Sequence, residues 1–156
     1  MVQITSEITI KAPLPVVWDV ITNLKYYRDW NSQFSMISGR VQPGSRIKLK
    51  FSPLYYKGYT VQPRIHRHEA PHVFGWHGLT LLPGIIDGEY LFKLSDLDKN
   101  TTRLYFYQRY NGFLSFLLPQ FQIFKDARKS CIKMNAEIKS RVEEVFVKGH
   151  QAVLSA

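Results

Sequence analysis

Cysteine is almost missing: Cys131 is the single thiol in 156 residues. One thiol excludes an internal disulfide framework and any cysteine zinc cluster built within the chain. No apolar run approaches the roughly 20 residues a membrane-spanning helix needs. The N-terminus lacks the charged and apolar regions of a signal peptide, so a soluble, cytoplasmic protein is expected. No Gly-x-Ser-x-Gly elbow, phosphate loop or His-Glu-x-x-His helix occurs, and no Ser or Cys hydrolase constellation stands out. Internal repeats and low-complexity linkers are absent too. Acidic residues are scarce, 12 against 21 Lys and Arg, for a formal charge of +9. Such a balance fits nucleic acid, an anionic membrane surface or an acidic ligand. The charges are nevertheless dispersed: Lys125, Arg128, Lys129 and Lys133 share a segment with Asp126, Glu137, Glu143 and Glu144. A solvated basic surface is the plainer reading, and nucleic acid is not an expected partner.

Apolar and aromatic residues are plentiful, at 45% and 14%. That excludes wholesale disorder and suits either a core or the lining of an apolar pocket. The length predicts a single domain, here over 1–147, followed by a frayed tail at 148–156. The segment 120–146 organises the rest. Phe121, Phe124, Cys131, Met134, Ile138, Val142 and Val145 recur every three or four residues, which predicts a helix of about 27 residues, about 40 Å long, with one apolar stripe. On that stripe Cys131 reads as packing rather than as a nucleophile.

Upstream, 2–11 alternates as a half-buried strand. Pro13 and Pro15 then open a short helix at 15–22, and a second short helix is predicted at 24–30. Strands are predicted at 34–41, 46–51, 59–69, 72–79, 85–94 and 102–110, with a polar turn at 96–100 and a short helical run at 113–118. Pro63 implies an edge or a bulge, because it cannot donate to a ladder. Short turns between the late strands require antiparallel pairing, and the lack of strand–helix alternation excludes a doubly wound fold.

This order resembles the START-related helix-grip superfamily, which includes lipid carriers, plant hormone-binding proteins and polyketide cyclase/dehydrase-like proteins. The residues carrying the resemblance are Ile10-Lys11-Ala12-Pro13 with Val17-Trp18, then Trp30-Asn31 and Gly44. Trp76-His77-Gly78, Gly88-Glu89-Tyr90-Leu91-Phe92, Thr101-Thr102-Arg103 leading to Gly112, and Met134-Asn135 complete it. The resemblance implies an α+β helix-grip fold: a curved antiparallel sheet of six to seven strands around a long C-terminal helix, with two short helices after the first strand. It also implies a cavity between sheet and helix. By strand parity that cavity would be lined by Phe74, Trp76, Tyr90, Phe92, Leu104, Phe106, Gln108 and Tyr110. The long helix would add Phe121, Phe124, Cys131 and Met134, with Tyr27, Trp30 and Phe34 near the mouth.

Similar proteins often carry a histidine where Tyr90 stands, and a histidine and a glutamate where Phe106 and Gln108 stand. The departure removes ionisable groups from the expected cavity and favours a neutral guest. The expected function is therefore non-enzymatic binding or transport of a hydrophobic small molecule or lipid, with transient contact with an anionic membrane. The alternative is a polyketide cyclase, aromatase or dehydratase, using Tyr90, Tyr110, Gln108 and an inward Arg67 to polarise carbonyls. Gln108 is either a ligand contact or part of an internal bond. His66 and His68 share a strand face that parity points to solvent, with no acid evidently placed beside them. No metal or cofactor is expected.

Overall fold

A computed structural model describes residues 2–52, 54, 55, 57–78, 87–113, 115, 117 and 122–154, apart from the side chains at 123, 124 and 152–154. The elements in order are β1 (Val2–Ile10), α1 (Leu14–Thr22), a 3-10 helix (Leu24–Asp29), β2 (Phe34–Gly39), β3 (Ile47–Phe51), β4 (Tyr59–Val61), β5 (Arg64–Glu69), β6 (Val73–His77), β7 (Asp87–Asp98), β8 (Thr101–Asn111) and α2 (Gln122–Leu154). The strands form two antiparallel groups, ordered β1-β8-β7-β6-β5 and β2-β3-β4. They wrap the long helix with two short helices after the first strand, so the helix-grip architecture holds.

Among the described residues eight strands stand where six to seven were expected, because 59–69 divides at Pro63. Proline has no N–H for a ladder, and the chain turns a corner there from one group to the other. The corner is held from the neighbouring segment: Gly44 N donates to Ile65 O (2.7 Å), Ile65 N to Ser45 O (2.9 Å) and Ile47 N to Pro63 O (3.0 Å). The β7–β8 hairpin also runs further than expected. β7 continues to Asp98 through a bulge at Leu97, and the turn narrows to Lys99 and Asn100. Asp98 Oδ1 accepts from Asn100 N at 2.8 Å, the short side-chain bond that makes Asp a turn residue.

α1 buries Leu14, Val17, Trp18 and Ile21. The Tyr27 hydroxyl reaches back to donate to Ile21 O at 2.6 Å, which fixes the 3-10 helix against α1. Asn31 Oδ1 accepts from Gln33 N and Phe34 N (2.9 and 2.7 Å) and so launches β2.

On α2 the stripe Cys131, Met134, Ile138 and Val142 is fully buried. Polar groups beside it fasten the helix to β1. Asn135 Nδ2 donates to Ser6 Oγ (2.9 Å) and Lys139 Nζ to Thr9 O (2.7 Å). Glu143 Oε1 accepts from Lys11 N (2.8 Å). α2 starts at Gln122 and runs on to Leu154, beyond the 120–146 expected. Its last turns are supported by the Glu144–Lys148 pair and by the rings of Phe146 and His150, 4.5 Å apart, both at i,i+4 spacing. Phe121 lies outside the described residues, as do the side chain of Phe124 and residues 114, 116 and 118.

Candidate functional site

The inner face of the five-stranded group is built by register. Ile65, Trp76, Tyr90, Gln108 and Ile4 lie side by side across β5, β6, β7, β8 and β1. The next inward row is His68, Phe74, Phe92, Phe106 and Ser6. Because side chains alternate with period 2, one correct register brings both rows to the same face. Phe74, Trp76, Phe92 and Phe106 are fully buried, and Tyr90 and Gln108 nearly so. Their rings interlock: Phe92 stacks on Phe106 at 4.6 Å, Trp76 on Tyr90 at 5.9 Å, and Phe74 meets Trp76 at 5.7 Å. From the smaller group Phe34 joins them edge-on, 5.2 Å from Tyr90 and 5.5 Å from Trp76. Cys131 and Met134 of α2 are buried in the same core.

Tyr90, Tyr110, Gln108 and Trp76 set polar groups in this wall. The Tyr90 hydroxyl is hydrogen-bonded to that of Tyr110. Tyr110 donates in turn to Gln108 Oε1 at 3.2 Å. Trp76 adds an indole Nε1–H that is buried with no hydrogen-bond partner among the described residues. Burial, above all, pushes the Tyr90 and Tyr110 phenols well above their ordinary range, so both stay protonated. Burial likewise pushes the Cys131 thiol up to about 12, which leaves it without nucleophilic thiolate. The wall therefore holds closely packed aromatic rings, protonated donors and one amide.

Two of the residues expected at the mouth, Tyr27 and Trp30, stand beside α1. Tyr27 is fully buried, with its hydroxyl committed to Ile21 O. Trp30, 4.6 Å from the Tyr27 ring, borders a groove of about 610 Å³ between α1 and the C-terminal part of α2, together with Val16, Val20, Tyr26 and Phe146. A second cleft of about 700 Å³ opens between the end of α1 and β2, with Leu24, Met36, Val41 and His68 in its lining.

Arg67 and His68 exchange the faces expected of them. β5 carries a bulge in which Ile65 pairs with Trp76 but Arg67 pairs with Gly75, leaving His66 as the extra residue. The extra residue reverses the alternation beyond it. Arg67 is accordingly exposed and paired with Glu69. His68 turns in, 5.3 Å from the Trp18 ring and 5.7 Å from Phe74.

His66 also has an acid partner that the sequence reading missed. On the outer face its Nε2 lies 2.7 Å from Glu89 Oε1, while Glu89 Oε2 lies 3.6 Å from Arg109 and the His77 ring is 5.1 Å from that of His66. Burial lowers the His66 pKa, against the opposing pull of Glu89. The pairing of Arg64 with His77 and of His77 with Glu89 is the signal that brings this group together. Among the described residues no group of three or more His, Cys, Asp and Glu could hold a metal ion.

Neither a family model nor a curated protein matches the sequence. Solved structures do match. A START superfamily protein from Mycobacterium smegmatis superposes with a TM-score of 0.74 at 12% identity, covering 92% of this chain and 98% of the other. An aromatase/cyclase from a Streptomyces species gives 0.69 at 15% identity, covering 94% of each chain. Norcoclaurine synthase from Thalictrum flavum, in complex with dopamine and hydroxybenzaldehyde, gives 0.64 at 13% identity, covering 92% and 87%. These neighbours include both enzymes and a protein named only by its superfamily, so the shared architecture does not select an activity. The resemblance read in the sequence holds at the level of architecture: the chain has the helix-grip fold of START-related proteins.

Proposed function

We propose that the protein binds a hydrophobic small molecule or lipid against the aromatic wall, as a carrier rather than as a catalyst. The observation that carries this reading is the Trp76 indole. A buried donor without a partner costs on the order of 1–3 kcal/mol, and such groups are rare in finished cores. A guest with a carbonyl or ether oxygen at Trp76 Nε1 would remove that penalty. Its hydrocarbon part would gain about 25 cal/mol per Å² of apolar area buried on the surrounding rings. The inward-facing described residues of β6, β7 and β8 include no Asp, Glu, Lys, Arg or His along these two rows, which favours a neutral guest. Phe34, Tyr90, Phe92, Phe106, Gln108, Tyr110 and Met134 complete the proposed site, and the Tyr90–Tyr110–Gln108 chain would orient the guest's polar end.

Native mass spectrometry of the purified protein, followed by displacement of a fluorescent fatty-acyl probe, tests this. A bound apolar molecule, or displacement by neutral carbonyl-bearing lipids, is expected. A protein that neither carries nor exchanges an apolar guest sinks the reading.

A cyclase- or aromatase-like reading draws on the same two phenols, which burial keeps protonated and able to donate to a substrate carbonyl. It loses the arginine it needed, because Arg67 faces outward. Turnover of a poly-keto substrate that falls with Tyr110→Phe would favour it over the carrier.

A further inference from the structure

We propose that the end of the molecule carrying Tyr55 and Phe113 docks on the surface of an anionic phospholipid bilayer. β3 leads to, and β4 leaves from, the segment containing Tyr55. The Tyr59 ring at the head of β4 meets Phe51 at 5.5 Å, and Phe51 meets Tyr90 at 6.4 Å. Tyr90 is hydrogen-bonded to Tyr110, three residues before Phe113. Tyr55 and Phe113 thus project from one end of the sheet, and they are the two most exposed large apolar side chains described, at 76% and 81%. Tyr55 holds a φ of 69°, a backbone region that disfavours side-chain-bearing residues, yet its ring gains no burial from it. Exposed aromatics at loop tips suit a headgroup layer, where a ring can be half apolar and half wet.

The start of α2 lies at the same end, since Lys129 Nζ stands 5.7 Å from the centre of the Tyr55 ring. Lys125, Arg128, Lys129 and Ile132 share one helix face by their spacing, and all four are exposed. Lys129 is offset by Asp126 at 3.2 Å, but among the described residues Lys125 and Arg128 have no ion-pair partner. Cations flanking exposed apolar tips are the complement of an anionic, partly apolar surface, and the net charge of +9 adds long-range attraction.

The test is co-sedimentation of the full chain with phosphatidylglycerol-containing vesicles and with vesicles of phosphatidylcholine alone. Binding to the anionic vesicles, weakened by added salt, is expected. Lys125→Glu is expected to weaken it by about tenfold. Lys99→Glu, the same charge change at the far end of the β7–β8 hairpin, is expected to leave it within about twofold. The double variant Tyr55→Ser, Phe113→Ser is expected to abolish it. Equal binding to both vesicles, equal loss in Lys125→Glu and Lys99→Glu, or unchanged binding of the double variant overturns the proposal. Should the double variant misfold by near-ultraviolet circular dichroism, Phe113→Trp with brominated lipids decides: an unquenched indole on vesicles overturns it. Sedimentation needs no guest in the interior, so its outcome is separable from that of the carrier reading.

Discussion

Replacing Trp76 by phenylalanine separates packing from hydrogen bonding at the proposed site. Trp76 is fully buried, with Phe34, Phe74, Tyr90 and Phe92 all within 6 Å between ring centres. Phenylalanine keeps an aromatic ring there but forfeits apolar contact worth two to three methylenes, about 2 kcal/mol at ~0.8 kcal/mol each. It also deletes the buried indole N–H, and lifting that desolvation penalty returns about 1–3 kcal/mol. The two effects oppose, so stability should change by no more than about 1 kcal/mol. Truncating Phe106, equally buried and stacked on Phe92, should cost about 3–5 kcal/mol. Urea unfolding monitored by circular dichroism reads both, with an unchanged m-value confirming that the same surface unfolds. Displacement of a carbonyl-bearing apolar probe then reads the other half. Trp76→Phe should weaken the probe by about fivefold to tenfold, in line with one lost hydrogen bond. A loss of about 3 kcal/mol in stability with unchanged probe affinity would refute the reasoning, because the indole would then be bonded within the protein.

Gly75 sits where β6 passes β7, and a Cβ there would lie 2.5 Å from Tyr90 O and 2.7 Å from a Leu91 methyl. Gly75→Ala should therefore destabilise by about 1–3 kcal/mol, read as a lower urea midpoint, since a ladder carbonyl cannot move aside. Glu143 has its pKa lowered: burial raises it, but the Lys139 ammonium and the Lys11 amide together outweigh burial. Its stabilising effect should be complete above the ordinary carboxylate range and disappear as pH falls through the depressed value. Unfolding midpoints followed from neutral to about pH 3 should fall less steeply in Glu143→Gln. Arg67→Ala should change stability by less than about 0.5 kcal/mol and leave probe affinity intact, because the side chain pairs with Glu69 in solvent. A marked loss of affinity in the titration would place the guanidinium on the ligand.

Much of the inner wall was legible in the sequence because its strands keep strict alternation. Trp76, Tyr90 and Gln108 fall in one row, and Phe74, Phe92 and Phe106 in the next, as parity requires. The α2 stripe was legible for the same reason at a different period. What escaped is the geometry of exceptions. A bulge leaves no mark in polarity, so the reversal at His66 put Arg67 and His68 on the wrong faces. The split of 59–69 was signalled by Pro63, but a proline does not say whether the strand bulges, ends or turns a corner. The His66–Glu89 pair needed the β5–β6–β7 register, which no single segment contains. Nothing local to Tyr27 reveals that its hydroxyl reaches Ile21 O.

The extra residue in β5 makes pairing register, more than side-chain identity, decide what fills the interior beside Trp18. Swapping His66 for another half-exposed residue leaves the pairing frame intact. Drawing it into the ladder opposite Gly75 would slide Arg67 into the position opposite Phe74 now held by His68, presenting a guanidinium to the rings of Trp18 and Phe74. At this point the fold tolerates a change of letter far better than a slip in register.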